Sequence, residues 1–394
     1  MEHVAIVGAS LAGLSAAEGL RDGGFDGVIT MIGDEPHQPY DRPPLSKELL
    51  AGTWEVERVA LRPGEHIDKL EVDWRLGRRA VSLDEGLHLD DGSTIAFDGL
   101  VIATGAAPRT IPGTPPLEGI HTLRTLDDCL ALRADLERTP KVAVVGAGFI
   151  GAEVAATCYG RGLDVTVIEA MPVPLERALG VDMGGVCASL HSDHGVTVRY
   201  GVGVAGFEGG DRVERVTLAD GSAVTADVVV VGIGVAPVTD WLAGSGVEVL
   251  DGVVCDATCA SVSRPDVVAA GDVARWHNPL FGEDMRVEHW DNAIAQGRAA
   301  ARRLLEGPGV EPFAPVPYFW SDQYDAKIQF AGRLGDEVRV VDGSVEERRF
   351  AALYGKAGRL VGVLGMNRPR VVMQYRRKIA EGITWEEALA PASP

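Results

Sequence analysis

The sequence predicts an α/β fold class, with two Rossmann-like domains and a smaller C-terminal α/β domain. The motif VAIVGASLAG at residues 4–13 recurs as VAVVGAGFIG at residues 142–151, with the first glycines 138 residues apart (146 − 8). Each copy passes from a β-branched run through a glycine turn into an Ala- and Leu-rich helical pattern. Each is followed by a second strand that ends in an acid, residues 28–32 before Asp34 and Glu35, and residues 165–168 before Glu169. Two βαβ openings at this spacing indicate two nucleotide-binding domains rather than a short-period solenoid.

The remaining elements follow in chain order. Residues 100–105 and 228–234 are predicted strands that close the first and second units, and residues 267–272 form a third strand that enters a Gly-Asp turn. Residues 292–305 predict a helix, and the Pro-rich residues 307–317 predict a linker. Beyond the linker, the pattern predicts a sheet and a closing helix, with strands at 328–332, 337–341, 348–353 and 360–364 and the helix at 370–381.

Composition narrows the class of protein. The chain has 394 residues and 46% hydrophobic residues, which excludes wholesale disorder. Its net charge is 37 − 57 = −20, which disfavours binding to nucleic acid or anionic lipid. The first residues lack a basic and hydrophobic leader, and the longest apolar run, about 11 residues, is shorter than the roughly 20 that a membrane helix needs. We therefore expect a cytoplasmic protein.

The glycine motifs predict where dinucleotides bind. A G-x-G-x-x-G turn lets the backbone approach a pyrophosphate and places the phosphates at a helix N-terminus. Gly146, Gly148 and Gly151 complete this pattern, and Glu169, 23 residues after Gly146 (169 − 146), can bond a ribose. In the first copy Ser10 stands where the middle glycine would be, and its hydroxyl can itself bond phosphate. Two such sites suggest a flavin and a nicotinamide.

Several longer motifs point to one family. They are GDE at 33–35, RPPLSK at 42–47, ATGAAPR at 103–109, GAGFIGAE at 146–153, AGDV at 270–273, EHW at 288–290, YFWSDQ at 318–323 and the segment 363–370. In these motifs the chain resembles the single-component ferredoxin reductases, which include putidaredoxin reductase and the reductases of ring-dioxygenase systems. They belong to the glutathione-reductase-like flavoproteins. The motifs span almost the whole chain.

The resemblance implies three domains. FAD would occupy a discontinuous domain of residues 1–110 and 237–311, NAD an inserted domain of residues 111–236, and residues 312–394 would form a C-terminal domain that helps to dock the acceptor. The residues it assigns to FAD are Gly8, Ser10, Gly13, Asp34, Glu35, Arg42, Lys47, Val81, Ala103, Thr104, Arg109, Gly271, Asp272, Glu288, His289, Trp290 and Trp320. Those it assigns to NAD are Gly146, Gly148, Ile150, Gly151, Glu169, Arg177 and Gly234.

The resemblance further implies a catalytic ion pair of Lys47 and Glu153 beside the flavin. A cation there can stabilise negative charge on reduced flavin. Ordinary structural roles compete with these assignments: Lys47 as a solvated helix lysine, Asp272 as a helix cap, and Trp290 and Trp320 as core residues. An acid at Glu169 suits the free ribose of NADH, while Arg177 keeps NADPH open.

The cysteines indicate where electrons go. Residues 42–50 contain no cysteine, and the five cysteines lack C-x-x-C spacing, so neither an internal dithiol nor a bound iron–sulfur cluster is predicted. The resemblance implies an external acceptor, a small iron–sulfur ferredoxin that feeds a haem-thiolate monooxygenase or a dioxygenase. The alternatives are a rubredoxin reductase, an NADH oxidase, or a redox-sensing flavoprotein like apoptosis-inducing factor.

The net charge of −20 would repel an acidic ferredoxin, and a local basic patch would overcome this repulsion. The candidates fall at residues 298–303 and late in the chain; they are Arg298, Arg302, Arg303, Arg368, Arg370, Arg376, Arg377 and Lys378.

Overall fold

The computed structural model describes residues 1–390, and within them the chain forms two compact units. The first unit comprises Met1–Asp41, Ala60–Ala107 and Ala236–Phe319, and the second comprises Arg42–Val59, Pro108–Val235 and the chain from Trp320 onward. The strands Ala106–Pro108 (β8) and Val235–Pro237 (β17) lie where the chain passes from one unit into the other.

The first unit is built on a parallel five-stranded sheet with the order β19-β7-β1-β2-β3. Two three-stranded sheets, β4-β5-β6 and β18-β20-β21, complete it. Its strands are His3–Val7 (β1), Val28–Gly33 (β2), Val72–Leu76 (β3), Ala80–Leu83 (β4), Leu87–Leu89 (β5), Thr94–Ile95 (β6), Gly99–Ile102 (β7), Val253–Cys255 (β18), Val267–Ala269 (β19), Ala274–Asn278 (β20) and Glu283–Arg286 (β21). Its helices are Leu11–Asp22 (α1), Gly64–Lys69 (α3) and Trp290–Glu306 (α7), with 3₁₀ turns at Asp240–Leu242 and Gly271–Val273.

The second unit contains a parallel sheet with the order β12-β11-β10-β16-β9 and an antiparallel sheet β13-β14-β15. These strands are Ile120–His121 (β9), Lys141–Val145 (β10), Asp164–Glu169 (β11), Thr197–Tyr200 (β12), Val204–Gly209 (β13), Val213–Leu218 (β14), Ala223–Thr225 (β15) and Val228–Val231 (β16). Its helices are Glu48–Ala51 (α2), Leu126–Leu136 (α4), Phe149–Gly160 (α5) and Glu176–Asp193 (α6), and 3₁₀ turns lie at Pro43–Ser46 and Val56–Val59.

The C-terminal segment adds a five-stranded sheet with the order β22-β23-β26-β25-β24. Its elements are Tyr318–Gln323 (β22), Ala326–Gly332 (β23), Glu337–Ser344 (β24), Arg349–Lys356 (β25), Arg359–Met366 (β26) and the helices Pro369–Glu381 (α8) and Trp385–Leu389 (α9). The prediction found β23 to β26 and α8, but it treated residues 318–323 only as a motif and missed the strand β22.

The two parallel sheets explain the internal repeat. In both units the glycine-motif strand, β1 or β10, lies inside its sheet and pairs in parallel on both sides. Val4, Ile6, Val144 and Val229 are fully buried, as expected for strands that helices cover on both faces. The α/β class with two Rossmann-like sheets and a C-terminal domain is confirmed.

The predicted domain boundaries remain a prediction. The two compact units are a coarser division than the three predicted domains, and residues 391–394 of the predicted third domain lie outside the described residues. Across residues 1–390, every helix is too short or too polar to cross a membrane. The cytoplasmic location also stays a prediction.

Candidate functional site: two glycine turns and a buried carboxylate

The second glycine turn is closely packed at its first and third glycines. Gly146 has φ +100°, and a Cβ there would lie 2.2 Å from the carbonyl oxygen of Gly232. A Cβ on Gly151 would lie 2.0 Å from the carbonyl oxygen of Gly146. Both positions therefore require glycine to let the strand, turn and helix pack.

The middle glycine is different. Gly148 precedes α5 as its N-cap, and a Cβ there would meet no atom within 4 Å. Packing does not demand a glycine at this position, so its value is the open space in front of the N-terminus of α5, which a phosphate could fill. Ile150, in the first turn of α5, is 49% exposed beside this space.

Glu169 lies at the end of β11 and is tied to the turn. Its carboxylate accepts a hydrogen bond from the N–H of Ala147 and another from the N–H of Met171, both at 2.8 Å. These bonds fix the Glu169 carboxylate beside the glycine turn. Arg177 is exposed on α6, and Gly234 has φ +95° with open space around its missing side chain.

The first glycine turn repeats this construction in the first unit. Gly8 has φ +121° and a Cβ there would lie 2.0 Å from the carbonyl oxygen of Ala103, while a Cβ on Gly13 would lie 2.0 Å from that of Gly8. Ser10 is the N-cap of α1, and its side chain makes no capping hydrogen bond. The substitution of serine for the middle glycine therefore leaves the turn intact.

The acids of the first copy are placed differently. Glu35 accepts a hydrogen bond from the hydroxyl of Tyr40. Asp34 is exposed, 4.0 Å from Arg79. Val81 lies on the small sheet β4-β5-β6 and is 47% exposed.

The Gly271–Asp272 turn is held from two sides. The N–H of Gly271 donates to Oε1 of the buried Gln296 at 2.9 Å, and Arg286 donates to the carbonyl oxygen of Asp272 at 3.0 Å. Arg286 also bonds Glu288 at 2.6 Å. Sequence reasoning missed both Gln296 and Arg286, because nothing in the local pattern links them to this turn.

The alternative role for Asp272, that of a helix cap, is wrong. The element that directly follows the turn that contains Asp272 is the strand β20 and not a helix. An acid at this position cannot be the N-cap of a helix.

The alternative for the two tryptophans of the predicted flavin site is a place in the core. Trp290 opens α7, is 36% exposed and donates from Nε1 to Asp41 at 2.7 Å, so the core reading is wrong for it. Its neighbour His289 lies 5.0 Å from Phe319, measured between ring centroids. Trp320 is half-buried on β22.

Three of the remaining predicted flavin residues donate hydrogen bonds to backbone carbonyl oxygens of their own unit. Thr104 donates from its hydroxyl to the carbonyl oxygen of Val238 at 2.7 Å. In the second unit, Arg109 donates from its backbone to Gly234 at 2.9 Å, and Arg42 donates to the carbonyl oxygen of Arg124. The predicted flavin set is thus divided: Arg42, Lys47, Arg109 and Trp320 belong to the second unit and the others to the first.

Lys47 and Glu153 form an ion pair in the second unit. The Lys47 Nζ lies 3.2 Å from Glu153 Oε2, with 13% and 4% of the two side chains exposed. The alternative of a solvated helix lysine is therefore wrong. Glu153 also accepts hydrogen bonds from the hydroxyls of Ser46 at 2.5 Å and Ser321 at 2.8 Å. Both serines lie within the predicted motifs, yet sequence reasoning gave neither a role.

The predicted basic patch needs one correction. Arg303 is 8% exposed and donates to the hydroxyl of Thr258, so it cannot contact a partner. Helical spacing grouped it with Arg298 and Arg302, but α7 buries the face that carries it. Arg370 and Arg377 on α8 are exposed.

All five cysteines are free and buried. Burial raises the pKa of Cys129, Cys158, Cys187 and Cys259 to about 12 and that of Cys255 well above its usual range. These thiols stay protonated near neutral pH and are poor nucleophiles.

Comparisons with known proteins identify the family. Residues 2–297 match the pyridine nucleotide-disulphide oxidoreductase family, and residues 318–392 match the Reductase C-terminal domain. The chain belongs to the pyridine nucleotide-disulphide oxidoreductases.

The similar proteins span nearly the whole chain. Rhodocoxin reductase from Rhodococcus erythropolis is 39% identical over 96% of this chain and 89% of its own length. The ferredoxin–NAD(+) reductase component of the anthranilate 1,2-dioxygenase system of Burkholderia cepacia is 38% identical over 96% of this chain and 94% of its own length. A structure of the covalent putidaredoxin reductase–putidaredoxin complex is 31% identical, with a TM-score of 0.93 over 99% of this chain and 96% of that chain.

Membership of this family implies a flavin and a nicotinamide cofactor. The residues present fit two dinucleotides, because each glycine turn opens a helix whose N-terminus carries no side-chain cap. When bound, a flavin can take two electrons from a nicotinamide and release them singly, which is chemistry that the protein side chains cannot supply.

Proposed function

We propose that this chain is an NADH:ferredoxin oxidoreductase that uses FAD. One NADH supplies two electrons, which pass singly to two oxidised ferredoxins, and the products are NAD⁺, one proton and two reduced ferredoxins. The ferredoxin, a small iron–sulfur protein, then supplies a monooxygenase or a dioxygenase. The similarity to rhodocoxin reductase and to a dioxygenase reductase component supports this acceptor class.

The state of the cysteines carries the proposal. Disulphide-reducing relatives within this family need a reactive dithiol beside the flavin, whereas here residues 42–50 contain none and every thiol is buried and protonated. Electrons therefore leave to an acceptor outside the chain.

The test uses the purified yellow protein and compares how it reduces different electron acceptors. We expect NADH-dependent reduction of cytochrome c to depend on added putidaredoxin or rhodocoxin, while ferricyanide is reduced without either. Peroxide or water formed from oxygen at the full rate of NADH consumption would instead indicate an oxidase. A long-lived reduced enzyme that neither carrier reoxidises would indicate a redox sensor.

Glu169 supports NADH over NADPH. Two backbone N–H groups fix its carboxylate where the ribose hydroxyls are expected, and a 2′-phosphate there would meet a negative charge. We expect Glu169→Gln to lower the ratio of kcat/KM for NADH to that for NADPH by about 10-fold, the worth of one hydrogen bond to a charged group. Glu214→Gln, which replaces an exposed acid on β14, is the control and should leave the ratio unchanged, and an unchanged ratio in Glu169→Gln contradicts this assignment.

The basic helix α8 is the proposed docking surface for the acidic partner. Its sequence carries Arg370, Arg376, Arg377 and Lys378 against Glu381 alone, a net charge of 4 − 1 = +3 in a chain of −20. Exchanging Arg376 and Arg377 for Glu should raise the KM for ferredoxin and leave NADH–ferricyanide turnover unchanged. If the wild type and this double variant have equal ferredoxin kinetics, α8 is not part of the docking surface.

A further inference from the structure

The carboxylate of Glu153 is surrounded by donors from distant parts of the chain. Glu153 is 3% exposed on α5. Its Oε2 accepts from the hydroxyl of Ser46 at 2.5 Å and from Lys47 Nζ at 3.2 Å. Its Oε1 accepts from the hydroxyl of Ser321 at 2.8 Å and from the N–H of Asp322 at 3.3 Å. Each oxygen therefore has two donors of its own.

Gln323 determines where the hydroxyl proton of Ser321 points. Gln323 Nε2 donates to Ser321 Oγ at 3.2 Å, and Ser321 and Gln323 are 0% and 1% exposed. An amide NH₂ can only donate, so it occupies a lone pair of the hydroxyl oxygen. The single hydroxyl proton of Ser321 is then left for Glu153.

All four groups that face Glu153 donate hydrogen bonds to its carboxylate, and two of them, the Lys47 ammonium and the Asp322 N–H, can only donate. A buried charge persists when it is both paired and hydrogen-bonded. Lys47 supplies the opposite charge, and the two serines and the Asp322 N–H supply the hydrogen bonds.

We propose that Ser321, aligned by Gln323, is a positioning residue for the Lys47–Glu153 ion pair, and that the Reductase C-terminal segment thereby controls how fast NADH reduces the enzyme. This inference rests on the proposed function and on the catalytic role that the family resemblance implies for that ion pair. It gives the C-terminal segment a part in taking electrons from NADH, in addition to any part in docking the acceptor.

The first test measures the rate of reduction by NADH in anaerobic stopped-flow experiments on the FAD-loaded enzyme. We expect Ser321→Ala to slow reduction about 10-fold, the factor that one hydrogen bond to a charged group supports. Ser321→Thr keeps the hydroxyl and should recover most of the rate. Ser15→Ala is the matched control, because Ser15 is fully buried and its hydroxyl has no hydrogen-bond partner within residues 1–390.

A double-mutant cycle separates positioning from general damage. If Ser321 acts through the carboxylate, Ser321→Ala should have no further effect on the rate in a Glu153→Gln background. A 10-fold loss in both backgrounds would overturn the proposal, and so would Ser321→Thr that is as slow as Ser321→Ala.

The second test does not depend on turnover. Infrared difference spectra between each protein and its Glu153→Gln variant isolate the bands of the Glu153 side chain. The charged residues that contact Glu153 among the described residues are Lys47 and Asp322, and Asp322 pairs with Lys327 at 2.7 Å. We expect these bands to shift in Ser321→Ala, because Oε1 loses one of its two donors, and to stay at the wild-type frequency in Ser15→Ala.

The two tests fail in distinguishable ways. A wild-type enzyme that NADH does not reduce would overturn the proposed function, while the infrared shift still reports on Ser321. A wild-type enzyme that is reduced normally, with the Glu153 bands of Ser321→Ala at the wild-type frequency, would overturn the positioning role alone.

Discussion

His191 should make the second unit sensitive to mild acid. It lies in the last turn of α6, is 1% exposed, and its Nδ1 lies 2.6 Å from the hydroxyl of Tyr324. The ring of Tyr324 stacks on His194 with the centroids 4.0 Å apart, and His194 lies 3.5 Å from Asp325. Burial, with a smaller contribution from His194, lowers the pKa of His191 from 6.5 to about 4.

The sign of the effect follows from which state binds the proton. Between pH 6.5 and 4 the unfolded chain protonates His191, whereas the folded chain keeps it neutral. The stability it contributes is therefore complete above about pH 6.5 and is lost as the pH falls toward 4. A difference of 6.5 − 4 = 2.5 pH units corresponds to about 3 kcal/mol in full, of which about 2 kcal/mol is lost by pH 5.

The assay is urea unfolding of the wild-type and His191→Gln proteins at pH values from 8 to 5. Glutamine can still bond the Tyr324 hydroxyl but does not titrate in this range. Between pH 7 and pH 5, the free energy of unfolding should therefore fall by about 2 kcal/mol less in His191→Gln than in the wild-type protein. His277→Gln replaces an exposed histidine and is the matched control. Parallel pH curves for the wild-type and His191→Gln proteins would refute the reasoning.

Two further predictions concern the cofactor turns. Gly146→Ala should lower the melting temperature of the apoprotein, because its Cβ would lie 2.2 Å from a Gly232 oxygen at a φ of +100°, a backbone strain alone worth about 1–3 kcal/mol. Gly148→Ala should keep the wild-type melting temperature and weaken NADH binding in a titration; matching melting temperatures for both variants would contradict the packing argument. Gln296→Leu leaves the Gly271 N–H without its acceptor. We therefore expect a loss of about 1–3 kcal/mol in unfolding free energy and weaker FAD retention on dialysis. A variant that retains FAD like the wild type would contradict this prediction.

The repeated βαβ units could be predicted because their signals are local. A β-branched run, a glycine turn and an apolar helix lie within about 20 consecutive residues. The close contacts of Gly8 and Gly146 explain why the turn needs glycine. Both glycines face the backbone at the end of an adjacent strand, at Ala103 and Gly232. In this chain neither position has room for a side chain.

Contacts between distant segments could not be predicted in this way. Helical spacing grouped Arg303 with its neighbours, but spacing along one helix does not say which side faces Thr258, 45 residues away in the chain. Arg286 reaches the Asp272 carbonyl oxygen, and His191 meets Tyr324 across 133 residues. These pairs depend on how elements pack, which no local pattern records.

The buried carboxylate explains why two separate motifs occur in one chain. RPPLSK contributes Ser46 and Lys47, and YFWSDQ contributes Ser321 with the Asp322 N–H, to the same Glu153 carboxylate. Removing any one donor leaves a buried carboxylate oxygen short of a hydrogen bond, which costs more than the bond itself contributes. A serine in either motif is thus constrained by the other motif, although 275 residues (321 − 46) separate them. The resemblance identified both motifs as signatures, and the structure supplies the physical reason that they belong together.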